Sequence, residues 1–76
     1  MKKIKKNSLI VFNEKSCNKE IYDKYYKELF PIGKCFVFLG EIRQMPDYCV
    51  ILDLETGLTK GAYQIDSFRL AKNHEI

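Results

Sequence analysis

The sequence has no tryptophan, one histidine, two prolines and four glycines. The only histidine, His74, lies in the C-terminal tail, and no motif around it marks an acid–base pair. No Gly-x-Ser-x-Gly elbow or glycine-rich phosphate loop occurs to suggest acyl or phosphoryl transfer. The three cysteines, Cys17, Cys35 and Cys49, are odd in number and include no Cys-x-x-Cys pair. Neither a disulfide framework nor a tetrahedral zinc site is signalled, since both draw on paired ligands. Cys35 and Cys49 lie inside apolar runs, the setting of free buried thiols in a reducing compartment. Cys17 sits in a polar stretch and is the one candidate for a reactive thiol.

Long apolar runs are missing too. Leu9-Ile10-Val11-Phe12 follows a basic start but is only four residues long, whereas an export signal needs roughly 7–15 and a membrane helix about 20. No membrane partner and a cytoplasmic location are expected. Basic residues are scarce in one half only. From Met1 to Lys34 there are nine Lys against four acids, or +5; from Cys35 to Ile76 there are four basic residues against six acids, or −2. Attraction to a polyanion would come from the first half.

What is present is enough apolar material for one core: 46% of the 76 residues are hydrophobic and 13% aromatic. A chain of this length forms a single domain. Its expected parts are a basic, flexible start at 1–7, a strand plus helix at 8–30, a small β-structure at 35–71 and a loose tail at 72–76.

Residues Ser8–Asn13 form a short β-branched and aromatic run that predicts the first strand. Ser16 or Asn18 can cap a helix over Lys19–Phe30, stopped by Pro31 and Gly33. Ile21, Tyr25 and Leu29 recur at i, i+4 and i+8, beside the row Tyr22, Tyr26 and Phe30; together they predict one wide apolar stripe. Lys19, Asp23 and Lys27 hold the wet face. Cys35–Ile42 reads as a strand apolar on both faces, Arg43–Asp47 as a break, and Tyr48–Leu54 as the next strand. Glu55-Thr56-Gly57 predicts a turn whose glycine takes positive φ. The alternating Lys60–Ile65, a tight turn at Asp66-Ser67-Phe68 and a short strand Arg69–Ala71 complete the pattern.

Four strands in so short a stretch bend the sheet strongly, and closing it removes exposed edges. The strand ending in Phe38-Leu39-Gly40-Glu41-Ile42, the loop Met45-Pro46-Asp47, the paired strands around a glycine turn and the one-turn helix at Ile65–Phe68 resemble the SH3-like small barrels of bacteria and phages. The resemblance covers residues 33–71 and is architectural. The expected fold class is therefore α+β, a small SH3-like antiparallel barrel preceded by a short strand and one amphipathic helix.

Three sets of side chains are candidates for chemistry. Asp53, Glu55 and Asp66 are the carboxylates that could gather at one barrel end, but a solvated turn rim is the better account of them; no catalytic, metal or cofactor site is expected. Lys24, Lys27 and Lys34 interleave with Tyr22, Tyr25 and Tyr26, a mixture suited to phosphate contact plus base stacking, with Tyr22 and Tyr26 as the platforms. Arg43, Met45 and Tyr48 bring a charge, a flexible thioether and a hydroxylated ring to one loop and suit a protein contact, with Phe68 and Arg69 nearby. The expected function is a non-catalytic protein-binding module acting by steric occupancy. An inhibitor of a host or defence complex, carried by a phage or mobile element, is its concrete form. The alternative is a small-barrel protein binding RNA or single-stranded DNA. The state of assembly, monomer or homodimer, is left open by the sequence.

Overall fold

The computed structural model describes residues 4–76. The first apolar run forms β1 (Leu9–Phe12), buried along Ile10, Val11 and Phe12. A strand buried on both faces belongs inside a sheet, and β1 lies between β2 (Phe36–Ile42) and β5 (Phe68–Leu70). With β3 (Met45–Asp53) and β4 (Thr59–Gln64), the sheet has the order β4-β3-β2-β1-β5, every neighbouring pair antiparallel. The first strand is thus an integral part of the sheet, where sequence alone placed it ahead of the β-structure. Its partners, Phe36 opposite Ile10 and Phe68 opposite Phe12, are remote in the chain, and strand periodicity carries no information about such pairing. The mixed α+β class is as expected.

Between β1 and β2 the chain forms the helical segment. Asn18 caps it, its Oδ1 accepting the Ile21 N–H at 2.8 Å. Helix α1 (Lys19–Ile21) passes directly into a π turn over Tyr22–Tyr26, closed by the Lys27 N–H donating to the Tyr22 carbonyl at 2.9 Å. The Phe30 N–H then donates to the Tyr26 carbonyl at 2.7 Å. Tyr22 Oη donates to the Phe30 carbonyl at 2.7 Å, stapling the end of the segment to its start.

The core is mainly aromatic. Phe30, 1% exposed, stacks on Phe12 at 5.6 Å and meets the edges of Phe36, Tyr63 and Phe68 at 5.6, 4.9 and 5.2 Å. Ile10, Phe38, Cys49, Ile51 and Ile65 fill the remainder. Burying such side chains stabilises the fold by roughly 1.5–3 kcal/mol each.

Several boundaries differ from expectation. Arg43 and Gln44 are the two-residue turn of a hairpin in which Ile42 pairs with Met45, so β3 begins at Met45. Pro46 is tolerated there because the register shifts between Glu41 and Ile42, freeing it from the regular ladder. The tail is not loose: Asn73–Glu75 forms a single helical turn, anchored through Glu75 to Arg69. Of the basic start, residues 1–3 lie outside the described residues. Ile4 packs on the core, and the Asn7 N–H donates to the Phe38 carbonyl at 2.7 Å. The turn before β4 is as predicted, with Gly57 at φ 72° and its N–H bonded to the Asp53 carbonyl at 2.8 Å.

Candidate interaction surface

The wide apolar stripe expected of the helix is split. Tyr22, Tyr26 and Phe30 turn to the sheet, where the Phe12 ring sits 5.3 Å from both tyrosine rings. Ile21, Tyr25 and Leu29 face outward at 41%, 60% and 40% exposure. The inward rings pack around Phe12, and the second row is left partly uncovered. Ile32, just beyond, is also exposed. Helical periodicity marked both rows as apolar but could not tell how much of the helix the sheet would cover.

Lys24 projects from the same segment and places its Nζ 5.3 Å from the Tyr25 ring centre. Lys19, Asp23 and Lys27 line a separate hollow of about 460 Å³, together with Glu14, Tyr22, Pro31 and Ile32.

The two sequence-derived sites are dispersed. In the protein-binding set, Arg43 and Met45 are exposed on the β2–β3 hairpin. Arg43 lines a hollow with Ile4, Lys6, Leu39 and Pro46, whereas Tyr48 lines another beside Tyr63 and Gln64. Phe68 is fully buried in the core and is therefore no contact residue. Arg69 is committed within the fold: its Nη1 and Nη2 donate to the two Glu75 carboxylate oxygens at 2.7 and 2.8 Å, and Nη2 reaches Glu14 Oε1 at 3.3 Å. A two-pronged guanidinium–carboxylate pair fixes both partners. It raises the Arg69 pKa and, helped by the Lys72 N–H, lowers that of Glu75 from 4.5 to about 2.

Of the nucleic-acid set, Tyr22 and Lys27 border the hollow of about 460 Å³, and the others lie apart from it. Tyr22 is 6% exposed and its hydroxyl is used by Phe30, so it offers no face for a base. Tyr26 is half-buried against Phe12 and Phe30. Lys34 Nζ is held by Asp53 Oδ2 at 3.1 Å. Lys24 and Lys27 remain exposed on the segment. Position-by-position spacing could not reveal that a core carboxylate would take up Lys34.

That carboxylate is the least expected feature. Asp53 is 1% exposed at the end of β3, bound by Lys34 at 3.1 Å, by Lys60 at 3.4 Å and by the Glu55 N–H at 2.9 Å. Burial raises its pKa, but the Lys34, Glu55 and Lys60 contacts outweigh burial and hold it below 3.8. Glu55 stands 3.8 Å from Lys34, while Asp66 is exposed on the turn before β5. Cys49, buried beside Ile51, has its thiol pushed up to about 11 by desolvation, which suppresses the reactive thiolate. Among the described residues no group of three or more His, Cys, Asp or Glu is placed to hold a metal ion, and no helix is long and apolar enough to cross a membrane.

No protein-family model, curated protein or solved structure matches the chain. The reading of its surface therefore rests on its own geometry.

Proposed function

We propose that the protein is a non-catalytic binding module that acts by occupying the surface of another protein, with the outward face of its helical segment as the contact. The observation that carries this reading is the row Ile21, Tyr25 and Leu29, spaced as a core face yet left 40–60% exposed. A contiguous apolar face with a polar rim is the pattern of an interface core, and tyrosine is a favoured anchor there. Glu20, Lys24 and Glu28 supply the rim.

The titratable groups withdrawn from water also favour binding over chemistry. Asp53 is neutralised by two lysines, Glu75 by Arg69, and the Tyr22 hydroxyl is spent on a backbone carbonyl. The strand order, with a single helical turn leading into β5, supports a strongly bent sheet of the small-barrel kind. On such a body the helical segment presents its outward row to a partner. An inhibitor of a host or defence complex is one form this module would take, and its mechanism is steric.

Capture of tagged protein from a host lysate at about 0.15 M salt, with and without nuclease, tests the reading. A stoichiometric protein partner that survives nuclease is expected, with weak dependence on salt. Loss of every partner on nuclease treatment, with log affinity falling linearly against log salt, would replace it by nucleic-acid binding through Lys24 and Lys27.

A further inference from the structure

Strand β2 outruns its neighbour β1. On the β3 side its pairing reaches Ile42, opposite Met45; on the β1 side the last registered pair is Leu9 with Val37, extended by the Asn7 N–H donating to the Phe38 carbonyl at 2.7 Å. Gly40, Glu41 and Ile42 therefore form a sheet edge with no strand beyond it among the described residues. A hollow of about 530 Å³ follows this edge. Residues 38–42 line it, with Ile4 and Lys6 from the start of the chain and Arg43 and Pro46 from the hairpin. Gly40, at φ 131°, puts no side chain into it; the nearest atom to where a Cβ would stand is Cε of the flexible Lys6 side chain, at 3.8 Å. Lys6, Arg43 and Glu41 are all exposed, and none of them is in an ion pair among the described residues. Lys5, also exposed, adjoins Lys6 and adds to the positive side.

We propose that this edge receives an extended acidic segment of a partner protein, added as a strand beside Gly40, Glu41 and Ile42. An open edge offers unpaired N–H and C=O groups that another backbone satisfies. A glycine within the strand lets that backbone approach closely. Alternate side chains of the added strand pack on Ile4, Ile42 and Pro46, while its carboxylates meet Lys6 and Arg43, two cations against the single acid Glu41. A nucleic-acid strand is disfavoured, because the one ring in the lining, Phe38, is 2% exposed and offers no face for a base. A basic segment would set like charges against Lys6 and Arg43. The site shares no residue with the Ile21, Tyr25 and Leu29 row, and either can fail alone.

Amide chemical shifts of the intact protein, titrated at low salt with the capped peptide acetyl-Asp-Val-Asp-Val-Asp-Val-amide, test the proposal. Two analogues accompany it: the same peptide with lysine in place of aspartate, and the acidic peptide methylated at every backbone nitrogen, which removes the donors an added strand needs. Saturable shifts at the Gly40, Glu41 and Ile42 amides are expected with the acidic peptide. Binding should be at least about ten-fold weaker with the lysine peptide, as charge reversal implies, and lost on methylation. The double variant Lys6→Ala/Arg43→Ala, altered only at exposed side chains, should melt as wild type does and bind the acidic peptide about five-fold more weakly. Equal affinity for the lysine peptide, binding that survives methylation, unchanged affinity in the double variant, or no shift at these three amides would overturn the proposal. Tighter binding of a thymidine hexanucleotide at the same amides would overturn it in favour of a nucleic-acid site.

Discussion

At the scale of single residues, the charged groups do more structural work than their surface-like sequence context suggests. Asp53 follows an apolar run and precedes a turn, and sequence reading set it on a solvated rim; the structure buries it between Lys34 and Lys60. Removing one member of a buried charge cluster strands the others. Melting temperature should therefore fall in the order wild type, Asp53→Asn, Asp53→Ala, because asparagine still accepts the Glu55 N–H and alanine does not. Equal melting of all three would show that the cluster contributes nothing. Glu75 gives a pH signature. Its folded pKa is lowered from 4.5 to about 2 by the Arg69 pair and the Lys72 N–H. A lowered carboxylate pKa stabilises the fold above the unfolded value and ceases to do so as pH falls through the folded one. Asp53, also lowered, acts in the same direction. Thermal melts from pH 6 to pH 2 should show wild-type stability falling below about pH 4.5, and Glu75→Gln should flatten part of that decline. Parallel curves would mean that the tail anchor is thermodynamically silent.

At the scale of elements, the helical segment separates folding from binding. Its inward row packs in the core, and its outward row is left 40–60% exposed. Phe30→Ala should destabilise the protein by about 3–5 kcal/mol in urea unfolding, as large aromatic truncations in cores do. Tyr25→Ala should fall within about 0.5 kcal/mol of wild type. Tyr22→Phe removes a buried hydroxyl and leaves the Phe30 carbonyl without its donor, a loss of about 1–3 kcal/mol. If Tyr25→Ala proved as damaging as Phe30→Ala, the outward row would be core and its assignment as an interface would fall.

At the scale of the whole molecule, local signals were readable and remote ones were not. The β-branched and aromatic runs, the glycine turn at Gly57 and the Asn18 cap each act over a few residues, and they place β2, β4, the turns and the start of α1 close to where they lie. The pairing of β1 between β2 and β5, the closing of the tail on Arg69 and the union of Lys34 with Asp53 join positions 6 to 60 residues apart along the chain. No periodicity encodes such contacts. The candidate site followed the same rule. Arg43 and Met45 are exposed as their turn chemistry implied, Phe68 and Arg69 were absorbed into the fold, and the outward helix row was mistaken for core because pattern alone does not count covering surface.

The central claim is that this outward row serves a partner rather than the fold. It is tested most directly by comparing wild type with Tyr25→Ser/Leu29→Ser in capture from a nuclease-treated host lysate, with melting of both proteins recorded alongside. The account predicts indistinguishable melting and at least about a ten-fold loss of the captured protein, as expected when interface anchors are removed. Undiminished capture by the variant, or a melting loss as large as that of Phe30→Ala, would contradict it.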